Sequence, residues 1–527
     1  VKTAPAAAKI AGAAALITVL TVVARIAGFG RTFVFLHTVG HGSLGDIYNA
    51  ANTIPNIVFE LVAGGALASL VVPLLAGHVA SGDRQRVGAV ASALLTWVLV
   101  LLVPLAVLVA LLAGPIAGLF PDVPADHQQT AASMLRVFAP QLPLYGIGIV
   151  LTGVLQAHHR FAWPAIAPLL SSVTVMGAYL TYALVDGART DFAGLTRTGE
   201  LTLSIGTTAG VVVLAFCLLV PLRHLRLRLR PTLRFPGHEG RQAVRLGWAG
   251  AVTVGSQQVM TIVVIALVAG GGLTLYNAAQ TVFLLPWAVL AVPVATAVYP
   301  SLAAAASAGD EDTYRRSLSG AARSVTLLAG LGAAALIALA GPIAYLTGAA
   351  PASSGIVGFA PGLLGYALFA LLSRALYARG ATVAAAWSTA AGWLIAAAGA
   401  LALSGLDDSR QVLGLGLANA AGMTVIGLLL ILAVRRHAGP DALTGLPRSV
   451  TVAVGAGGLA ALAGWGVVVG IGHLFGTTPT VAGSVVQGML GGLVVLGVFL
   501  AAAYPAARHD MASLAAPLTR RVRRRRT

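Results

Sequence analysis

Arg25, Arg31 and Glu60 interrupt long apolar runs of the sequence, where a charged side chain costs roughly 2.5–3.5 kcal/mol on insertion scales. A guanidinium in such a place suits a phosphate-bearing ligand, because it offers forked donors and does not deprotonate. Arg136 also falls in an apolar run, but near its end, where a long side chain reaches the interface. Two readings of the group stand side by side. Either Glu60 neutralises an arginine in a structural pair, or the arginines line a water-filled cavity and hold an anionic headgroup. Two arginines against one carboxylate leave a surplus positive charge, which favours the second reading. Asn277 and Gln280 are further candidates for lining such a cavity. For the neutral amides, hydrogen bonding between helices is an equally good account. Pro55, the Gly64-Gly65 pair and Pro286 are hinge candidates, since helices bend or break at such residues.

The elements that must position these residues are membrane-spanning helices. Apolar runs of about 18–25 residues recur from end to end, each long enough for a hydrocarbon core of about 30 Å. The expected spans are 10–36, 48–77, 88–113, 130–156, 163–185, 199–221, 246–269, 274–305, 322–346, 355–373, 382–404, 411–434, 450–471 and 482–505. Only 9% of the 527 residues are charged, against about 25% in soluble domains, so water is not the main solvent. Strand alternation is absent, so the expected fold is an all-α bundle of about fourteen transmembrane helices rather than a barrel. The formal charge of +17 invites a nucleic-acid reading, but the basic residues sit between the apolar runs and no nucleic-acid partner is expected.

Those basic residues orient the bundle. With the N-terminus inside, the outward connections hold only Arg189, Arg197 and Arg410, whereas the inward linker 222–245 and the tail 506–527 hold seven arginines each. This follows the positive-inside rule and places both ends in the cytoplasm of a multi-pass cell-membrane protein. Lys2 and Lys9 precede a run without a convincing cleavage site, so that run reads as a retained first span. A single cysteine, Cys217, leaves no internal disulfide. No Walker loop, metal-ligand cluster or hydrolytic triad is present, which argues against an enzyme or ATP-driven pump. No cofactor is expected, and coupling to membrane potential or a monovalent ion stays open.

An internal repeat divides the chain. Tyr48-Asn49-Ala50-Ala51-Asn52-Thr53 returns as Tyr276-Asn277-Ala278-Ala279-Gln280-Thr281 at a shift of 228. Val71-Val72-Pro73 is echoed by Val298-Tyr299-Pro300, and Ser81-Gly82-Asp83 by Ala308-Gly309-Asp310, both at 227. The unit is therefore six helices, an even number, which makes the repeat parallel about an axis along the membrane normal. The expected organisation is an N-terminal six-helix lobe (1–221), a basic cytoplasmic linker (222–245), a C-terminal six-helix lobe (246–436), an appended helix pair (437–505) and a basic tail (506–527). Membrane lipids are expected partners, the tail binding anionic ones.

The segment Ala24-Arg25-Ile26-Ala27-Gly28-Phe29-Gly30-Arg31, followed by Gly45-Asp46, Ile54-Pro55-Asn56, Gly65-Ala66 and Val72-Pro73, resembles the MurJ (MviN) lipid II flippase family. That family belongs to the multidrug/oligosaccharidyl-lipid/polysaccharide exporter superfamily. The resemblance implies two six-helix lobes plus an appended pair. It also implies a carrier that moves undecaprenyl-diphosphate-linked peptidoglycan precursor across the cytoplasmic membrane by alternating access. Arg25 and Arg31 would contact the diphosphate, Asp46 and Asn56 would line or gate the cavity, with Asp46 important for function, and the appended helices would form a groove for the lipid tail. The chain departs from the family pattern in three places. It carries Phe59-Glu60 where a basic pair is usual, no arginine in 280–285, and no acidic residue in 246–269, where some members hold sodium. A flippase for another polyprenyl-linked glycan, or a non-transporting scaffold for cell-wall synthesis or division proteins, are the alternatives.

Overall fold

In the computed structural model the described residues are 4–524, apart from 62–70, 73, 76–77, 80, 121–124, 159, 192–193, 236–238, 269–271 and 476–478. Among them the chain forms helices and turns and no strand. It divides into two compact units, Val1–Thr274 and Leu275–Thr527.

The first unit holds α1 (Ala4–Thr38), α2 (Ser43–Phe59), α3 (Arg84–Leu111), α4 (Ala113–Ala117), α5 (Ala125–Phe138), α6 (Gln141–Ala157), α7 (Ala162–Asp186), α8 (Arg197–Phe216), α9 (Leu219–Arg223) and α10 (Glu239–Leu267). Helix α11 (Gly272–Pro286) begins in its last three residues. Within this unit α1 packs on α7, α7 on α8, and α3 on α6. Leu94, Val98 and Leu102 of α3 meet Val150, Leu151 and Val154 of α6 in an apolar cluster.

The second unit continues through a π turn, Trp287–Ala291, into α12 (Val292–Ala308), α13 (Glu311–Leu346), α14 (Ser353–Phe359), α15 (Leu363–Ala378), α16 (Thr382–Ala402), α17 (Asp408–Ala438), α18 (Leu446–Phe475) and α19 (Val481–Arg524). Here α16 packs on α17, and α13 packs on α18 and α19. Small residues let those helices approach: Ala334, Ala338, Ala456 and Ala460 are buried in one cluster with Val495 and Phe499.

Twelve helical segments among the described residues are long and apolar enough to cross a membrane. They account for all the expected spans except 48–77 and 246–269. The first of these runs into residues 62–70, and the second appears as the shorter apolar helix Val252–Leu267. Two spans expected to be continuous are broken. Span 130–156 divides between α5 and α6 at Ala139-Pro140, and 355–373 between α14 and α15 at Ala360-Pro361-Gly362. Proline lacks the amide hydrogen that would continue the ladder. At the other extreme, α19 runs on to Arg524, well past the expected end of its span at 505.

The repeat is visible in local geometry. Gly82 and Gly309 both take left-handed φ, 73° and 68°. The next residues, Asp83 and Asp310, cap α3 and α13 by accepting the N–H of Arg86 and Thr313 at 2.9 and 3.0 Å. Thr53 and Thr281 each donate to a carbonyl one turn back, Asn49 and Asn277, at 2.7 and 2.8 Å. Tyr48 and Tyr276 are both buried. Their hydroxyls bond Thr207 on α8 and Asn419 on α17, the last helix of each six-helix repeat. Their rings touch Phe138 and Phe359. These two phenylalanines reveal another echo, Phe138-Ala139-Pro140 and Phe359-Ala360-Pro361, which is why both helices break at the same place.

Candidate functional site in the first unit

Helix α2 buries Leu44, Ile47, Tyr48, Ala51, Ile57 and Phe59. Asn49, Asn52, Thr53, Asn56 and Glu60 are only half-buried. Their spacing of three, four and seven residues sets them on one face, a polar stripe along an otherwise apolar helix. At Glu60 the α-helical ladder gives way to π geometry at 60–61. The second unit does the same at Trp287–Ala291, directly after Pro286, and the two π turns coincide under the 228-residue shift. Single π turns inside α-helices are frequent at functional sites. Pro55 is buried within α2, and Gly64 and Gly65 lie outside the described residues.

Asp46, in the first turn of α2, accepts the N–H of Thr274 at 2.8 Å and that of Leu273 at 3.3 Å. Its carboxylate therefore closes the N-terminus of α11, where four backbone donors lack helical partners and negative charge is favourable. Asn49 adds a bond from Nδ2 to Thr274 Oγ1 at 2.9 Å. Thr274 is itself the counterpart of Asp46 under the 228-residue shift. Gly45 leaves the room this needs, since a Cβ there would strike the Gly40 carbonyl oxygen. The expected gating residue thus acts on backbone amides.

Arg31 is exposed on α1 and makes no ion pair or hydrogen bond among the described residues. Its charge reaches three hydroxyls, those of the buried Tyr48 and Tyr179 and of the half-buried Tyr145. Tyr48 and Tyr179 bond each other at 2.9 Å. Tyr145 donates to Gln141 Oε1 at 3.3 Å and also meets the Asn56 amide and the field of Glu60. Its ring lies 5.4 Å from that of Phe59. Tyr145 is the centre about which Arg31, Asn56 and Glu60 gather. The sequence reading missed it, although Tyr366 repeats it after the second Phe-Ala-Pro.

The Glu60 carboxyl makes no ion pair or hydrogen bond among the described residues, so the structural pair weighed above does not form there. Arg25 is likewise exposed and unpaired among them. It precedes Arg31 by six residues, about 9 Å along the axis and roughly 120° around it. Charges on a membrane helix face a bundle interior or a watered cavity. The chemistry available around Tyr145 is anion binding by the free Arg31 guanidinium, bounded by the Asn56 amide and one carboxylate, while Arg25 points about 120° away around α1.

Asn277 and Gln280 belong to the other unit. They are half-buried on α11 in the second unit, at the counterparts of Asn49 and Asn52. Further along, where the first unit has Asn56 and Glu60, the second has Leu284 and Ala288. Among the described residues no group of three or more His, Cys, Asp or Glu side chains could hold a metal ion.

Residues 35–485 match the family model of the lipid II flippase MurJ. The probable lipid II flippase MurJ of Rhizobium meliloti is 28% identical over 336 residues, 62% of this chain and 61% of that protein. The lipid II flippase MurJ of Burkholderia cenocepacia is 28% identical over 349 residues, 62% of this chain and 64% of that protein. The chain thus aligns with less than two thirds of the length of either curated relative. Among solved structures, a lipid II flippase MurJ in an inward closed conformation superposes with a TM-score of 0.73 at 18% identity, covering 93% of this chain and 99% of that one. An inward-facing multidrug resistance transporter of the MATE family, in the MOP superfamily, gives 0.61 at 15% identity, covering 79% and 95%. With a family model spanning most of its length and the same fold, the chain belongs to the MurJ lipid II flippase family.

Proposed function

We propose that the protein carries undecaprenyl-diphosphate-linked peptidoglycan precursor, lipid II, from the inner to the outer leaflet of the cytoplasmic membrane by alternating access. The observation that carries this reading is the pair of exposed, unpaired arginines on α1, Arg25 and Arg31, the second within electrostatic reach of Tyr145 together with Asn56 and Glu60 of α2. Guanidinium forks match diphosphate oxygens, and the surrounding amides and tyrosines offer neutral donors for sugar. Both termini, the linker and the tail lie on the cytoplasmic side in this reading, as the loop arginines require. The six-helix lobes rock about the matched π turns, and the pair α18 and α19 forms a groove for the polyprenyl tail. Family membership supports the substrate class. The test is replacement of the resident flippase in a depleted strain by this chain, with outward appearance of lipid II followed directly. Restored appearance and growth are expected. Continued failure of both would remove the reading.

A second cargo is favoured by one observation. Phe59-Glu60 and the uncharged stretch 280–285 make the stripes less basic than the family pattern, which suits a polyprenyl-linked glycan with a less acidic headgroup. Competition between lipid II and such a lipid for the purified protein separates the two.

A further inference from the structure

Between α9 and α10 the chain does something the helical pattern does not anticipate. From Leu225 to Arg230 leucine and arginine alternate strictly, Leu225-Arg226-Leu227-Arg228-Leu229-Arg230. Alternation of this kind sorts an extended chain into two faces. Arg226, with φ of 51°, turns the chain out of α9 in the left-handed region. The segment then runs extended alongside α3. The Arg230 N–H donates to Ser92 Oγ at 3.0 Å and the Thr232 N–H to Thr96 Oγ1 at 3.0 Å. The indole Trp97 Nε1–H donates to the Leu233 carbonyl, also at 3.0 Å. Gly88 permits the approach, since a Cβ there would stand 3.1 Å from the Arg228 carbonyl oxygen. The strap is therefore a fixed part of the first unit.

Its two faces differ in chemistry. Leu225, Leu227 and Phe235 pack on the apolar cluster of α3 and α6. Arg223, Arg226, Arg228, Arg230 and Arg234 are exposed, and none makes an ion pair among the described residues. Leu229 and Leu233 are exposed as well, at 37% and 52%, beside Trp97 at 40%. Helix α3 has 28 residues, about 42 Å of helix against a hydrocarbon core of about 30 Å. About two turns must then lie outside the hydrocarbon, and Arg84 and Arg86, both exposed, mark the end that does. The strap climbs α3 from Gly88 to Trp97, so it crosses the headgroup layer. Arginine interleaved with exposed leucine and an indole is the composition of a surface seated in that layer.

We infer that the strap 226–234 is a binding surface for the anionic glycerophospholipid headgroups of the inner leaflet, its arginines taking their phosphates while Leu229, Leu233 and Trp97 enter the acyl boundary. The inner placement rests on the orientation proposed above; the binding itself is measured without it. Full-length protein in neutral detergent is titrated with phosphatidylglycerol and with phosphatidylcholine, and bound lipid is followed by native mass spectrometry. Phosphatidylglycerol is expected to bind about tenfold or more tightly than phosphatidylcholine. The preference is expected to fall in high salt. Arg228→Gln, Arg230→Gln and Arg234→Gln together abolish it, and the three corresponding lysine substitutions retain most of it. Arg230→Gln alone, which disturbs the fold least, costs roughly threefold. Equal binding of the two lipids, a salt-independent preference, or a triple glutamine variant that binds phosphatidylglycerol as the unaltered chain does would overturn the inference. Cysteine accessibility from the cytoplasmic side tests the orientation separately.

Discussion

Helices α2 and α11 occupy equivalent places in the repeat and are built alike up to their midpoints. Each carries a buried tyrosine whose hydroxyl bonds the last helix of its repeat, a threonine bonded one turn back, and a π turn at the same register. They part at the second half of the polar stripe. The first unit places Asn56 and Glu60 there, near Arg31 and around Tyr145. The second places Leu284 and Ala288, with an aromatic stack in which Trp287 and Tyr366 lie 4.9 Å apart. What the two share is what the fold needs, and what they do not share is where cargo chemistry should sit. Glu60 is part of that difference, and it places negative charge on the face that the arginines make positive.

The largest consequence falls on the arginines. Arg31→Ala removes charge-assisted bonds worth about 1.5–3 kcal/mol each, so flipping in a depleted strain should fall roughly ten- to a hundredfold. Gln280→Ala, on the neutral stripe of the second unit, should stay within about threefold of the unaltered chain. Equal losses from the two would erase the distinction between the stripes. Next in size are the buried hydroxyls. Tyr48→Phe removes bonds to both Tyr179 and Thr207, whereas Tyr276→Phe removes only the bond from the Asn419 amide. Thermal unfolding in detergent should show losses of about 2 and about 1 kcal/mol in that order.

The cap on α11 comes third. Asp46→Ala frees the N–H groups of Leu273 and Thr274 and should cost about 1 kcal/mol of stability, with Asp46→Asn costing less. A loss of flipping without loss of stability would show instead that Asp46 touches cargo. Glu60→Gln should tighten anion binding a few-fold. Weaker binding would mean that Glu60 helps to hold cargo. The smallest effect belongs to Asp310. Bonds from Thr313 hold its exposed carboxyl below the usual carboxylate range. A depressed folded value means the cap is intact above the ordinary carboxyl pKa and lost as pH falls through the folded one. Amide exchange at Thr313 should therefore quicken only in acid below that ordinary value.

Much of this arrangement was legible in the residues. Apolar length set the spans, and Tyr48/Tyr276 with Asp83/Asp310 located the repeat, because a buried hydroxyl and a helix cap each demand a particular residue type. The surplus of Arg25 and Arg31 over Glu60 also survives, since the structure pairs none of them among the described residues. Three things were hidden. The breaks at Pro140 and Pro361 fell inside runs apolar enough to read as continuous. Tyr145 looked like one more aromatic until its neighbours met across helices distant in sequence. Asp46 was singled out by resemblance, but its partners are backbone amides of Leu273 and Thr274, and backbone partners leave no trace in side-chain pattern.

The central claim is that the charged face of the first unit holds the diphosphate. Purified full-length protein titrated with lipid II tests it most directly, with Arg25→Ala/Arg31→Ala compared against Asn277→Ala/Gln280→Ala. The account predicts a loss of roughly a hundredfold for the arginine pair and little change for the amide pair. Unchanged affinity in the arginine pair, or an equal loss in the amide pair, would contradict it.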